Sequence, residues 1–211
     1  MQLLRLLRAS LWALLHLRIF RVLRRRTPNP YRAVILLTGC GSGLGYALAE
    51  LLAKIEGYRV IVTARPRSIE YLKAKFPESD RLMVRELDVT NEAQRQALCA
   101  EIREKWGGVD ILVNNAGISY RAVVEHMSEK DEFHQMQTNY LGPMGLIRAV
   151  VPHMREKGRG KIINVSSVSG MLAMPTMSAY SASKYALEGA SEALWYEMKP
   201  LGVNVSLIQP G

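Results

Sequence analysis

TGCGSGLG (38–45) follows the apolar run AVILLT (33–38) and opens a stretch with helical spacing. Glycine stands at every second position, at Gly39, Gly41, Gly43 and Gly45. Glycine weakens strands and helices alike, so four within eight residues need a cause. A phosphate-binding turn is the obvious candidate. The dinucleotide fingerprint G-x-G-x-x-G nevertheless fits in neither register, because Leu44 and Tyr46 stand where its third glycine belongs. The context still suits a phosphate: after a strand and before a helix, backbone N–H groups and the helix N-terminus face an anion. A tight strand–helix turn without a ligand is the plain alternative.

Working outward, apolar and helical segments alternate. Apolar runs at 33–38, 58–64, 82–87, 109–113, 161–165 and 203–208 read as six strands. Residues 44–55, 91–105, 131–155 and 179–199 read as helices, with an irregularity expected in the third at Gly142-Pro143. Strands rich in Val, Ile and Leu and separated by helices indicate an α/β fold. It is a doubly wound parallel sheet with helices on both faces. Ligands of such sheets sit beyond the carboxyl ends of the strands. No internal repeat is visible.

The chain of 211 residues is long enough for one sizeable core, and its 48% hydrophobic and 22% charged content is that of a globular domain. The net charge of +9 resembles a nucleic-acid footprint until it is located. Residues 1–26 hold seven arginines and no acid, which leaves 21 basic against 19 acidic side chains in the rest. The body is therefore close to balanced, and nucleic-acid binding is not expected of it. Cys40 and Cys99 have no metal-ligand spacing and fit free thiols in a reducing compartment, with no metal site.

The tail, MQLLRLLRASLWALLHLRIFRVLRRRTPNP (1–30), has a longest charge-free run of nine residues, 9–17. A membrane-spanning helix needs about 20 apolar residues. RRR (24–26) is not the small-residue site of a cleavable signal. A basic amphipathic helix on an anionic membrane surface fits best, through residues 1–26. A short inserted anchor, a mitochondrial-type presequence and a disordered leader stay open. TPNP (27–30) is a stiff break before a domain spanning 31–211.

Several stretches carry chemistry. The second strand ends TARPRS, where an NAD site has an acid for the ribose hydroxyls. Arg65 stands there instead, with Arg67 beyond it, and an arginine pairs with a 2′-phosphate, which favours NADP over NAD. Asp88 in LDVT (87–90) is placed to accept from an adenine amino group or to cap the following helix. NNAG (114–117) ends the fourth strand and lets backbone approach a cofactor. The sharpest set is Ser167, Tyr180 and Lys184. The tyrosine and lysine share one helical face. An ammonium near a phenol favours the phenolate, which exchanges a proton with an alcohol or carbonyl near neutral pH. Taken alone, the Tyr–Lys pair is no more than a surface helix pair.

Together these residues resemble the short-chain dehydrogenase/reductase family. Its T-G-x-x-x-G-x-G loop matches Thr38, Gly39, Gly43 and Gly45, its N-A-G matches Asn115-Ala116-Gly117, and its helix asparagine matches Asn139. Its S-x(12)-Y-x-x-x-K arrangement matches Ser167, Tyr180 and Lys184, and its P-G matches Pro210-Gly211. The likeness covers about residues 32–211, and VTARPRS and YSASKYALEG look most like the steroid and retinoid dehydrogenases of the family.

The resemblance implies a Rossmann fold and an NADP(H)-dependent oxidoreductase. Hydride would pass between nicotinamide and a secondary alcohol or ketone of lipophilic character. It gives Tyr180 the role of general acid or base and Lys184 that of its partner, which also holds the nicotinamide ribose. Ser167 binds the substrate oxygen, and Asn139 holds a water that links Lys184 to solvent. Gly39, Ser42, Gly43, Leu44 and Gly45 frame the cofactor. Asp88 and Val89 meet the adenine, Asn115, Ala116 and Gly117 line the cleft, Arg65 reads the 2′-phosphate, and Pro210 and Gly211 complete the site. Homodimers or homotetramers packed through the two long helices are implied, in the cytoplasm and peripheral to a membrane.

Family members continue past P-G with cofactor contacts, a substrate-covering segment and a seventh strand, so the natural protein is expected to run further. A non-catalytic nucleotide-binding scaffold at a membrane surface is the alternative function. Gly41 and Cys40 fill free positions of the loop motif, so Gly41 is expected to tolerate alanine better than Gly43, and Cys40 needs no redox role.

Overall fold

In the computed structural model, which describes residues 31–211, each apolar run becomes a strand of one sheet. The strands are β1 (Ala33–Leu37), β2 (Tyr58–Ala64), β3 (Leu82–Glu86), β4 (Ile111–Asn114), β5 (Gly160–Val165) and β6 (Val203–Ile208). All pairs are parallel, in the order β3-β2-β1-β4-β5-β6. The helices are α1 (Gly43–Lys54), α2 (Pro66–Lys75), α3 (Glu92–Trp106), α4 (Glu129–Met136), α5 (Gly142–Lys157) and α6 (Ser178–Met198). The tail expected over residues 1–30 lies outside the described residues. Among the described residues no helix is long and apolar enough to cross a membrane.

Alternate residues of β1 show why its sequence is uniformly apolar. Val34 and Leu36 pack with Leu98 and Ile102 of α3 and Leu146 and Val150 of α5. Ile35 and Leu37 pack with Ala49 of α1 and Ile69 and Leu72 of α2. A strand buried on both faces has no polar side, so it reads as a run. On the face of α1 and α2, Ile111, Ile163 and Val165 farther along the sheet are only half-buried. After β3 the chain returns to the opposite side of β1 to form β4. The carboxyl ends of β1 and β4 therefore flank the switch point where ligands of such sheets bind.

Two features differ from the sequence expectation. Helix α2 fills part of 65–81, a stretch between the second and third apolar runs with no clear apolar period in the sequence. Its start follows from Pro66 in the first turn, where a missing N–H costs nothing, and Lys73 and Lys75 suit its last turn. The expected long helix at 131–155 is instead α4 and α5 joined by one π turn, Gln137–Leu141. The irregularity thus precedes Gly142-Pro143. Isolated π turns redirect side chains and recur at functional sites, and this one buries the adjacent Thr138 and Asn139.

Candidate active site

The glycine turn is held by contact with the end of β4. Gly39 has φ +73°, and a Cβ there would lie 2.6 Å from Ala116 Cα and 2.8 Å from Ala116 N. A Cβ on Gly45 would meet Asn115 Nδ2 and the Gly39 carbonyl. Thr38 fastens the same junction: its hydroxyl accepts from Asn115 N and Ala116 N, both at 3.0 Å, and donates to Val113 O. Asn115 Nδ2 donates back to Thr38 O (2.9 Å) and Gly39 O (3.1 Å). Gly43, at φ +59°, faces open space with nothing within 4 Å of a built Cβ. At Gly41, whose φ is not left-handed, a Cβ would meet the Ser68 side chain, at 2.8 Å from Oγ and 3.0 Å from Cβ.

The first turn of α1 has no acid, and Ser42 at its N-cap makes no side-chain capping bond. Its N–H groups and partial positive charge are open to an anion. The cleft over this turn is lined by Gly39, Ser42, Leu44 and Gly45 from β1–α1 and by Arg65, Arg67 and Ser68 from the start of α2. Asp88 and Val89 after β3 and Asn115, Ala116 and Gly117 after β4 close it. These residues suit the adenosine diphosphate half of a nicotinamide dinucleotide: a small-residue turn for pyrophosphate, the Val89 wall for the base, and Arg65 and Arg67 at one end. Asp88 spends Oδ1 on Thr90, accepting from its N (2.9 Å) and its hydroxyl (2.7 Å), while Asn91 Oδ1 caps α3. Pro210 and Gly211 lie outside this cleft; the Pro210 carbonyl accepts from Val168 N at 3.0 Å.

Sequence reasoning missed Ser68, Ile118, His134 and Thr138 among the wall residues, and it gave Gly41, Ala64 and Leu87 no place in the wall. Pro66 was the available signal for Ser68, because it marks the start of α2. His134 and Thr138 share a face at i, i+4, but nothing in the sequence says that this face meets the cleft.

The second group sits beside Gly117. Asn139, in the π turn, donates from Nδ2 to Ile118 O (2.8 Å) and Ser183 Oγ (2.9 Å), and its Oδ1 accepts from Ile118 N (2.9 Å). Ser183 in turn donates to the Tyr180 carbonyl at 2.7 Å, so this chain of bonds fixes the first turn of α6. Lys184 is 5% exposed, donates to Val165 O at 2.9 Å, and holds its ammonium 5.8 Å from the Tyr180 ring centroid. Ser167 follows β5 with extended backbone, and its hydroxyl accepts from Ser169 N at 3.1 Å. Behind the group, Asn114 Nδ2 donates to Asn164 Oδ1, and Asn164 Nδ2 donates to Ser191 Oγ, tying β4, β5 and α6 through the core. A Cβ on Gly117 would lie 3.3 Å from Asn139 Oδ1 and 3.8 Å from Lys184 Nζ. A side chain at this glycine of the cleft wall would therefore meet two members of the second group, Asn139 and Lys184.

Burial pushes the Lys184 amine down from 10.5 to about 8, with Glu188 pulling the other way. Between those two values the unfolded chain holds a proton that the folded chain has released, so stability rises with pH. Relative to Lys184→Met, the wild type should gain stability from about pH 8 to about pH 10. Thermal melts across that range, without cofactor, check this. Parallel curves for the two proteins would remove the buried cation from the account.

The family profile described as short chain dehydrogenase matches residues 33–211. The chain is 39% identical over 178 residues to a 3-ketodihydrosphingosine reductase of Bacteroides thetaiotaomicron, across 84% of this chain and 63% of that protein. It is 36% identical over 208 residues to dehydrogenase/reductase SDR family member 7B of Danio rerio, across 94% and 66% of the two chains. The chain thus spans just under two thirds of the length of these relatives. Among solved structures, a short-chain dehydrogenase from Streptomyces avermitilis superposes with TM-score 0.78 at 39% identity, over 85% of this chain and 65% of that one. A gluconate 5-dehydrogenase from Burkholderia cenocepacia, in complex with NADP and tartrate, superposes with TM-score 0.75 at 31% identity, over 86% and 71%. The glycine turn, the parallel sheet and these matches agree, and the chain belongs to the short-chain dehydrogenase family.

Proposed function

We propose that the protein is an NADP(H)-dependent oxidoreductase acting on a secondary alcohol or ketone. The observation that carries this reading is the meeting of the adenosine diphosphate-binding cleft with Asn139 and Lys184 at Gly117. The nicotinamide, when bound, supplies or accepts a hydride. In the reductive direction Tyr180 gives its phenolic proton to the carbonyl oxygen as the carbon gains hydride, so ketone, hydride and proton yield the alcohol. Ser167 orients that oxygen by hydrogen bonding. Lys184 holds the nicotinamide ribose and stabilises the phenolate left on Tyr180. Asn139, fixed to Ile118 by two hydrogen bonds, anchors the water through which the proton is replaced. Pro210 and Gly211 border the nicotinamide end.

Arg65 and Arg67 support NADP over NAD, because both line the end of the cleft where an NAD site carries an acid. The gluconate 5-dehydrogenase relative is itself described with NADP. The test is consumption of NADPH and NADH with a panel of hydrophobic ketones. Arg65→Ala should raise KM for NADPH by roughly 10-fold or more while leaving that for NADH nearly unchanged, as expected for loss of a charge-assisted phosphate bond. An unchanged cofactor ratio would remove Arg65 from this role.

A lipophilic substrate is supported by the rim beside Ser167. Met171, Leu172 and Met174 are exposed there, and so are Val123 and Val124 on the loop joined to it by Ala122 N donating to Thr176 O (3.0 Å). The Bacteroides relative is named a 3-ketodihydrosphingosine reductase. Peripheral membrane attachment through residues 1–26 would keep the domain at a membrane surface, where lipophilic substrates concentrate. Deleting 1–26 should abolish cosedimentation with anionic vesicles, and persistent binding would assign the contact elsewhere. Assembly as a homodimer or homotetramer belongs to the same reading. A monomer in sedimentation velocity would overturn it.

A further inference from the structure

Arg95 is a cation in the wrong place for an ordinary surface helix. It sits in the first turns of α3 with 9% of its surface exposed, and none of the ion pairs among the described residues includes it. Its Nη1 donates to the Val89 carbonyl at 2.7 Å, and its buried Nε has no hydrogen-bond partner. The guanidinium lies on α5 where only glycine leaves room: a Cβ on Gly145 would be 2.5 Å from Nε and 2.7 Å from Cζ. Near the start of the same helix, a Cβ on Gly142 would be 2.8 Å from the Val89 carbonyl oxygen. Val89 is thus held between Gly142 and Arg95. The neighbouring residue of α3 acts alike, since Gln94 Oε1 accepts from Asp88 N at 2.7 Å.

Burying a charge without a carboxylate costs more than filling the same space with an apolar side chain. A residue that merely joined α3 to α5 needs no guanidinium and no glycine opposite it. What the charge does contribute is one strong bond to the backbone carbonyl of Val89, a residue of the cleft wall. We propose that Arg95 is a positioning residue for the cofactor's adenine: it sets the Val89 wall against which the base packs. The inference rests on the cofactor reading above, and it extends that site to a side chain that never touches the ligand.

The experiment measures binding of 2′,5′-ADP, the adenosine fragment, by calorimetry in the full chain, alongside turnover with NADPH and with reduced nicotinamide mononucleotide, which has no adenine. Arg95→Met should weaken the fragment by about tenfold, the scale of one lost charge-assisted hydrogen bond. The loss should appear in KM for NADPH far more than in kcat, and the mononucleotide reaction should lose much less. Arg95→Lys should restore part of the fragment affinity. Gly145→Ala, which displaces the guanidinium without removing it, should reproduce the loss, and the double variant should add little. If Arg95→Met does not fold, the Lys and Gly145→Ala variants carry the comparison. Unchanged fragment affinity in the variants, or an equal loss with the mononucleotide, overturns the inference. A wild type that does not bind 2′,5′-ADP fells the cofactor reading and the inference with it.

Discussion

Tyr180→Phe should reduce NADPH-dependent carbonyl reduction by roughly 10²–10⁴-fold, the usual contribution of a positioned proton donor. The substitution removes one oxygen and keeps the ring. Helix α6 should be undisturbed, because the bonds that fix its first turn use the Tyr180 carbonyl, Ser183 and Asn139 rather than the phenol. The Lys184 ammonium keeps its bond to Val165 O. The adenosine cleft does not include Tyr180, so the dissociation constant for 2′,5′-ADP should stay at the wild-type value. The split is the informative part: kcat collapses while fragment affinity and melting temperature hold. Wild-type turnover in the Phe variant would sink the assignment of Tyr180 as proton donor, and a collapse of all three quantities would show only a folding defect.

The sheet was legible because parallel strands covered on both faces must be apolar throughout, and β1 needs Val34 and Leu36 for one layer and Ile35 and Leu37 for the other. Helix α2 was not seen, since only Ile69 and Leu72 turn inward in its ten residues and too few apolar positions repeat to betray the period. The site motifs were visible as residue types at fixed spacings, yet their supports were not. Thr38 looks like the end of a strand until its hydroxyl is found bridging to Asn115 and Ala116. Asn139 reads as mid-helix, and only the π turn aims it at Ile118 and Ser183. Arg95, in the polar segment NEAQRQ (91–96), looks solvated; its burial is decided by Gly145, fifty residues away in sequence. Such dependence on a distant small residue has no local signature.

The second large effect concerns the turn itself. Gly39→Ala should destabilise the domain by about 2–4 kcal/mol, combining left-handed strain with overpacking. At φ +73° an L side chain is strained before any contact is made, and here the new Cβ would also lie 2.6 Å from Ala116 Cα. The obstacle is backbone, fastened by Thr38 and Asn115, so no rotamer change relieves it. A melting temperature lower by roughly 5–15 °C is the expected reading for a domain of this size. The cleft should fail with it, since moving Ala116 away shifts a wall residue and loss of 2′,5′-ADP binding follows. Gly43→Ala supplies the control. Its φ of +59° is also left-handed, but nothing lies within 4 Å of the added methyl, so the cost should stay near the strain alone, about 1 kcal/mol. Equal losses at the two positions would mean that backbone strain governs both and that the approach of β1–α1 to Ala116 is not what the glycine at 39 serves.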